Sequence, residues 1–114
     1  MKQEFLTYLQ NEKQECMNKA QQLIVDERKD EANLCKVEAN IYDVFATLYQ
    51  VSCKQASENE EEADRMFMAK AEAVPGNWHL NLEKAKEHND AAKILIEETK
   101  LGAVEKIMET YRSL

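Results

Sequence analysis

The chain of 114 residues has one proline and two glycines. Pro75 and Gly76 stand together, followed by Asn77, so the rest of the sequence has almost no backbone punctuation and few folds open to it other than helices. The scarcity of glycine also excludes phosphate-cradling loops. Neither a P-loop nor a dinucleotide-binding fingerprint can be assembled from Gly76 and Gly102.

Long apolar runs are lacking as well. The longest, Met66 to Ala69, is far short of the roughly 20 residues that span a bilayer. The opening MKQEFLTYLQNEK carries charges and amides where a signal peptide is apolar. A cytoplasmic protein with no membrane partner is the expectation. Cysteine is sparse and odd in number: Cys16, Cys35 and Cys53 form no CxxC pair, which suits reduced thiols better than a disulfide frame. Basic charge is in deficit, with 15 Lys and Arg against 22 Asp and Glu and a net charge of −7, and no basic patch is apparent. Nucleic-acid binding relies on cations neutralising phosphates, so no nucleic acid is expected as a partner.

The residues that are abundant suit long amphipathic helices. Apolar residues make up 44% and charged residues 32%, too hydrophobic for a disordered chain, and the length predicts one domain over residues 1–114. From Lys2 to Val25, Leu6, Leu9, Cys16, Ala20 and Leu23 recur in steps of three and four, interrupted by Lys13 and widened by Phe5, Met17 and Ile24. A reversal is predicted between Asp26 and Asp30, with either aspartate placed to cap the next helix.

The second helix carries the most regular apolar heptad of the chain: Leu34, Val37, Ile41, Val44, Leu48 and Val51. A second stripe, Tyr42, Phe45, Tyr49 and Ala56, lies about 100° round from members of the first. A helix apolar on two faces is either central in its bundle or meets a second subunit, and the central position is the expectation. Near Ser57 the heptad seam fails. Ser57 with Glu60 reads as a capping box, starting a third helix that runs to about Ala73. One continuous helix over 31–73 is the alternative, because the second stripe continues through Ala63 and Met66.

The run Pro75-Gly76-Asn77 is predicted to end that helix, with Gly76 at positive φ and Asn77 capping the helix after it. A last helix then starts at Trp78 and runs to about 112, with Trp78, Leu82, Ala85, Ile96, Ala103 and Ile107 on one face and Gly102 as a weak point inside it. The predicted fold is all-α, an antiparallel bundle of three or four long helices.

Candidate chemistry is thin. His79 and His88 stand nine residues apart, half a turn out of phase on a continuous helix, and neither has a glutamate three residues before it, so no metal site is predicted. Cys35 and Cys53 are five turns apart, about 27 Å by helical rise, and cannot form one dithiol. The acidic run Glu58 to Asp64 lacks the alternating ligands and central glycine of an EF-hand loop. No catalytic residue and no cofactor is expected. Tyr42, Phe45, Tyr49, Met66 and Phe67 are the candidate face for a partner or an apolar ligand; the same spacing describes plain core, and only exposure separates the two. The expected function is a non-enzymatic interaction or structural protein that pairs with itself or another protein. The alternative is a carrier or minor enzyme that encloses a small apolar ligand or metal between its helices.

Overall fold

Five helices and no strand form the computed structural model, which describes residues 1–114: α1 (Gln3–Val25), α2 (Lys29–Gln55), α3 (Glu60–Ala73), α4 (Gly76–Glu87) and α5 (Ala91–Ser113). Four of them, α1, α2, α3 and α5, supply the core of an all-α bundle, and α4 packs along α5 outside it. The backbone amide of Lys2 donates to Tyr49 Oη at 2.6 Å, which sets the start of α1 against the end of α2. The amino terminus lies 3.8 Å from Glu60, and Tyr111 donates to Asp64, so the start of α3 and the end of α5 meet at the same place. Successive core helices therefore alternate in direction, the up-down-up-down arrangement that short connections favour.

Three of the four connections reverse the chain without glycine. Arg28 N–H donates to the Leu23 carbonyl at 2.8 Å with Glu27 at φ 62°, Glu58 N–H donates to the Cys53 carbonyl with Ser57 at φ 51°, and Asp90 N–H donates to the Ala85 carbonyl at 2.9 Å with Asn89 at φ 52°. Each is a Schellman closure: a left-handed residue just past the helix turns the next amide back onto a carbonyl the helix leaves open. Glutamate and serine are strained in that conformation, while asparagine tolerates it.

Several local expectations are corrected by these turns. Neither Asp26 nor Asp30 caps α2: Arg28 holds the cap position without a side-chain bond. The cap of α3 is Asn59, whose Oδ1 accepts from Glu62 N–H at 3.0 Å, because Ser57 is spent on the left-handed turn before it. The break after Gln55 makes α2 and α3 two helices, not one over 31–73. Gly76 is not at positive φ and Asn77 is no cap; α4 begins at Gly76 behind Pro75, which is helical at φ −72° and buried. Proline has no N–H to continue the ladder, so the helix breaks there and α4 leaves α3 to lie along α5. The last helix is likewise two helices. It breaks at His88 to Asp90, where Asn89 supplies the left-handed residue and Asp90 Oδ1 accepts from Lys93 N–H at 3.2 Å. Gly102 sits within an unbroken α5.

Phe5, Leu9, Ile41, Tyr42, Phe45, Phe67 and Ile107 are each no more than 2% exposed and form the centre of the bundle. On α2 the buried stripe is the second one, Tyr42, Phe45, Tyr49 and Ala56, and Cys53 is buried beside it. The regular heptad stands on its flank: Ile41 is buried, Leu34, Val37, Val44 and Leu48 are half-buried, and Val51 is 39% exposed. Lys13, the interruption in the stripe of α1, points its amine at Asp43 Oδ2 of α2, 2.9 Å away. The radius of gyration is 15.5 Å, against about 13 Å for a close-packed chain of this length, and the principal extents of 46 × 34 × 21 Å describe an elongated, flattened bundle.

Candidate functional site

The aromatic residues of the predicted face come together, but inside the bundle. Phe67 lies 5.4 Å from Tyr49 and 6.3 Å from Phe45, centroid to centroid, and Phe5 packs edge-on against Tyr49 at 5.1 Å. Tyr111 closes the group from α5, 4.9 Å from Phe5. Edge-to-face pairs of this kind add about 0.5–1.5 kcal/mol each beyond the area they bury. Tyr42 packs on Tyr8 at 6.4 Å and donates to Glu38 at 2.9 Å. Tyr42, Phe45, Tyr49 and Phe67 are at most 3% exposed; of the five, Met66 alone reaches the rim of the core. Helices of the same chain cover the face that a partner would touch.

Burial sets the acid–base character of these groups. The Tyr49 phenol is pushed up to about 12 by burial, and burial also raises Tyr42 and Tyr111, helped by the neighbouring carboxylates Glu38 and Asp64. The Cys16 thiol is pushed up to about 12 by burial first and by Glu38 second, which makes it a poor nucleophile at neutral pH. All three cysteines are free. No three histidine, cysteine or acidic side chains gather closely enough to hold a metal ion, and no catalytic arrangement of nucleophile and base is present.

Two features outside the aromatic centre are available to other molecules. The first is the flank of α2, where Leu34, Val37, Val44 and Leu48 are half-buried and Val51 is exposed, while Ile41 of the same heptad belongs to the core. Val44 and Leu48 touch the core along one edge and leave the other to solvent. Beyond that edge stand Asn33, Asn40 and Thr47, seven residues apart, exposed and uncharged. The seam is apolar with a neutral border in a chain whose net charge is −7. Its heptad was legible in the sequence, but which of the two stripes the bundle would bury was not.

The second feature is a cleft of about 460 Å³ between α4 and α5, lined by Asn81, Lys84, His88, Lys93, Ile96 and Glu97 among others. Sequence reasoning missed it, because a continuous helix over 78–112 places these residues along one rod. Asn89-Asp90, a left-handed residue followed by a capping residue, was the signal that the chain folds back there.

No family model, curated protein or solved structure matches this chain. It is a small helical-bundle protein with no metal or catalytic motif, and no helix is long and apolar enough to cross a membrane.

Proposed function

We propose that this is a non-enzymatic interaction protein of the cytoplasm that pairs through the flank of α2 with a second copy of itself. The observation that carries the reading is that the regular apolar heptad is left only partly covered, with Leu34, Val37, Val44 and Leu48 half-buried and Val51 exposed, while its neighbouring stripe fills the core. Apolar residues alternating in steps of three and four along one helix present the ridge that a facing helix accepts between its own side chains. β-Branched residues supply four of the six positions and lose little side-chain freedom on packing.

A second copy is the partner that best matches this seam. An isologous contact sets the same patch against itself, so any charge on the border faces its own like. Asn33, Asn40 and Thr47 bring none, in a chain whose net charge is −7. The three free thiols support a reducing compartment. Sedimentation velocity over a range of protein concentrations tests the reading, with a mass that rises with concentration as the expected result.

A further inference from the structure

The two helices that meet along the flank of α2 are unequal. α2 runs for 27 residues, about 40 Å, and α3 beside it for only 14, about 21 Å. Lys70, near the end of α3, reaches Gln55 at 2.6 Å and Ser52 at 3.3 Å, so α3 lies along the last turns of α2 and then stops. Pro75 sends the chain onto α5 instead. The first half of α2 therefore has no helix on the side that α3 covers further along, and Leu34, Val37 and Val44 are left half-buried there.

The two ends of this seam carry opposite charge. Asp30, exposed, stands seven residues before Val37, while Lys54, exposed, and Lys70, half-buried, stand beyond Val51. None of the three has an ionic partner within salt-bridge distance.

We propose that two copies pair with their α2 helices antiparallel, about a two-fold axis that crosses the seam near Val44, so that the partner's α3 lies along the first half of α2. The inference rests on pairing through α2 and adds its direction. The steps between seam residues, three-four-three-four-three, read the same from either end, so an inverted copy keeps its layers in register. Inversion sets Leu34 against the partner's Val51 and Val37 against the partner's Leu48, one larger side chain and one valine in each layer. A parallel pair sets leucine on leucine and valine on valine.

Charge separates the two directions more sharply. In the antiparallel pair Asp30 lies at the partner's lysine end; in a parallel pair it faces its own copy, and the lysines face theirs. A two-fold axis perpendicular to the helices also keeps both copies of α3 on one side of the pair while exchanging their ends. Two such helices end to end span about 42 Å, close to the length of α2, so the side that one α3 leaves open is closed by the other.

A full-chain double variant, Asn33→Cys with Lys54→Cys, treated with a short bismaleimide and mapped by peptide mass, tests the direction. Both positions are exposed. On one helix they are about 32 Å apart, so a short link between 33 and 54 joins two chains. That link is the expected result. In a separate measurement, Asp30→Asn in the otherwise unaltered chain is expected to loosen pairing several-fold by sedimentation equilibrium, because the antiparallel pair loses an attraction. A parallel pair would lose a repulsion and tighten. Links of 33 to 33 and 54 to 54, or tighter pairing of Asp30→Asn, would overturn the antiparallel direction and leave pairing through α2 standing. A dimer linked at neither position, or a wild-type chain that stays monomeric at every concentration, would overturn both.

Discussion

Tyr111, near the end of α5, donates its phenol hydrogen to Asp64 of α3 at 2.5 Å, and in doing so closes the aromatic centre of the bundle against solvent. Lys2 reinforces the closure with its ammonium 4.6 Å over the Tyr111 ring. The hydrogen bond requires a protonated phenol, and the same holds for Tyr42 on Glu38.

These phenols give the fold an alkaline weakness. All three are raised, so each favours the fold while it stays protonated in both states and turns against it once the unfolded chain ionises. Their contribution is fully present below pH about 10, the ordinary tyrosine value, and is lost as pH rises through the folded-state values, beginning with Tyr49 at about 12. Urea midpoints are expected to be lower at pH 11 than at pH 9, with a slope of up to about 1.4 kcal/mol per pH unit for each phenol. Tyr49→Phe should flatten that slope. An unchanged midpoint would show that the phenols are not buried as described.

Gly102 lies inside α5, and a Cβ built on it meets nothing within 4 Å. Glycine in a helix interior is about 1 kcal/mol less favourable than alanine. Gly102→Ala is therefore expected to stabilise the protein by about that amount, read as a higher denaturant midpoint at constant slope. A loss of stability would mean that the helix is not continuous there.

At the α4–α5 turn, Asn89 at φ 52° carries the reversal. Asn89→Gly should be tolerated or mildly stabilising, while Asn89→Val should cost about 1–2 kcal/mol because a β-branched side chain clashes in the left-handed region. Equal midpoints for the two variants would sink the Schellman assignment.

Apolar periodicity located α1, α2 and α3 within a few residues, and the break near Ser57 showed in the sequence as the failure of a heptad. The turns were harder to read, because glycine and proline are the usual marks of a reversal while this chain bends at Glu27, Ser57 and Asn89, residue types that elsewhere sit in helices or caps. Proline marked a true break but not a side-by-side reversal, since its missing N–H interrupts a helix without dictating where the next one packs. Of the candidate face, Tyr42, Phe45, Tyr49 and Phe67 lie in the core and Met66 at its rim, and spacing alone cannot separate a core from a surface. The cleft at Glu97 was invisible because it depends on a turn that periodicity ran straight across.

The central claim concerns the flank of α2, where Val51 is 39% exposed at the end of the heptad seam. Sedimentation equilibrium of the wild-type chain beside Val51→Glu measures it most directly. A chain of 13.2 kDa is expected to approach twice that mass as its concentration rises, and Val51→Glu to remain at 13.2 kDa over the same range. A wild-type mass of 13.2 kDa at every concentration, or a dimer that Val51→Glu leaves intact, would contradict pairing through this seam.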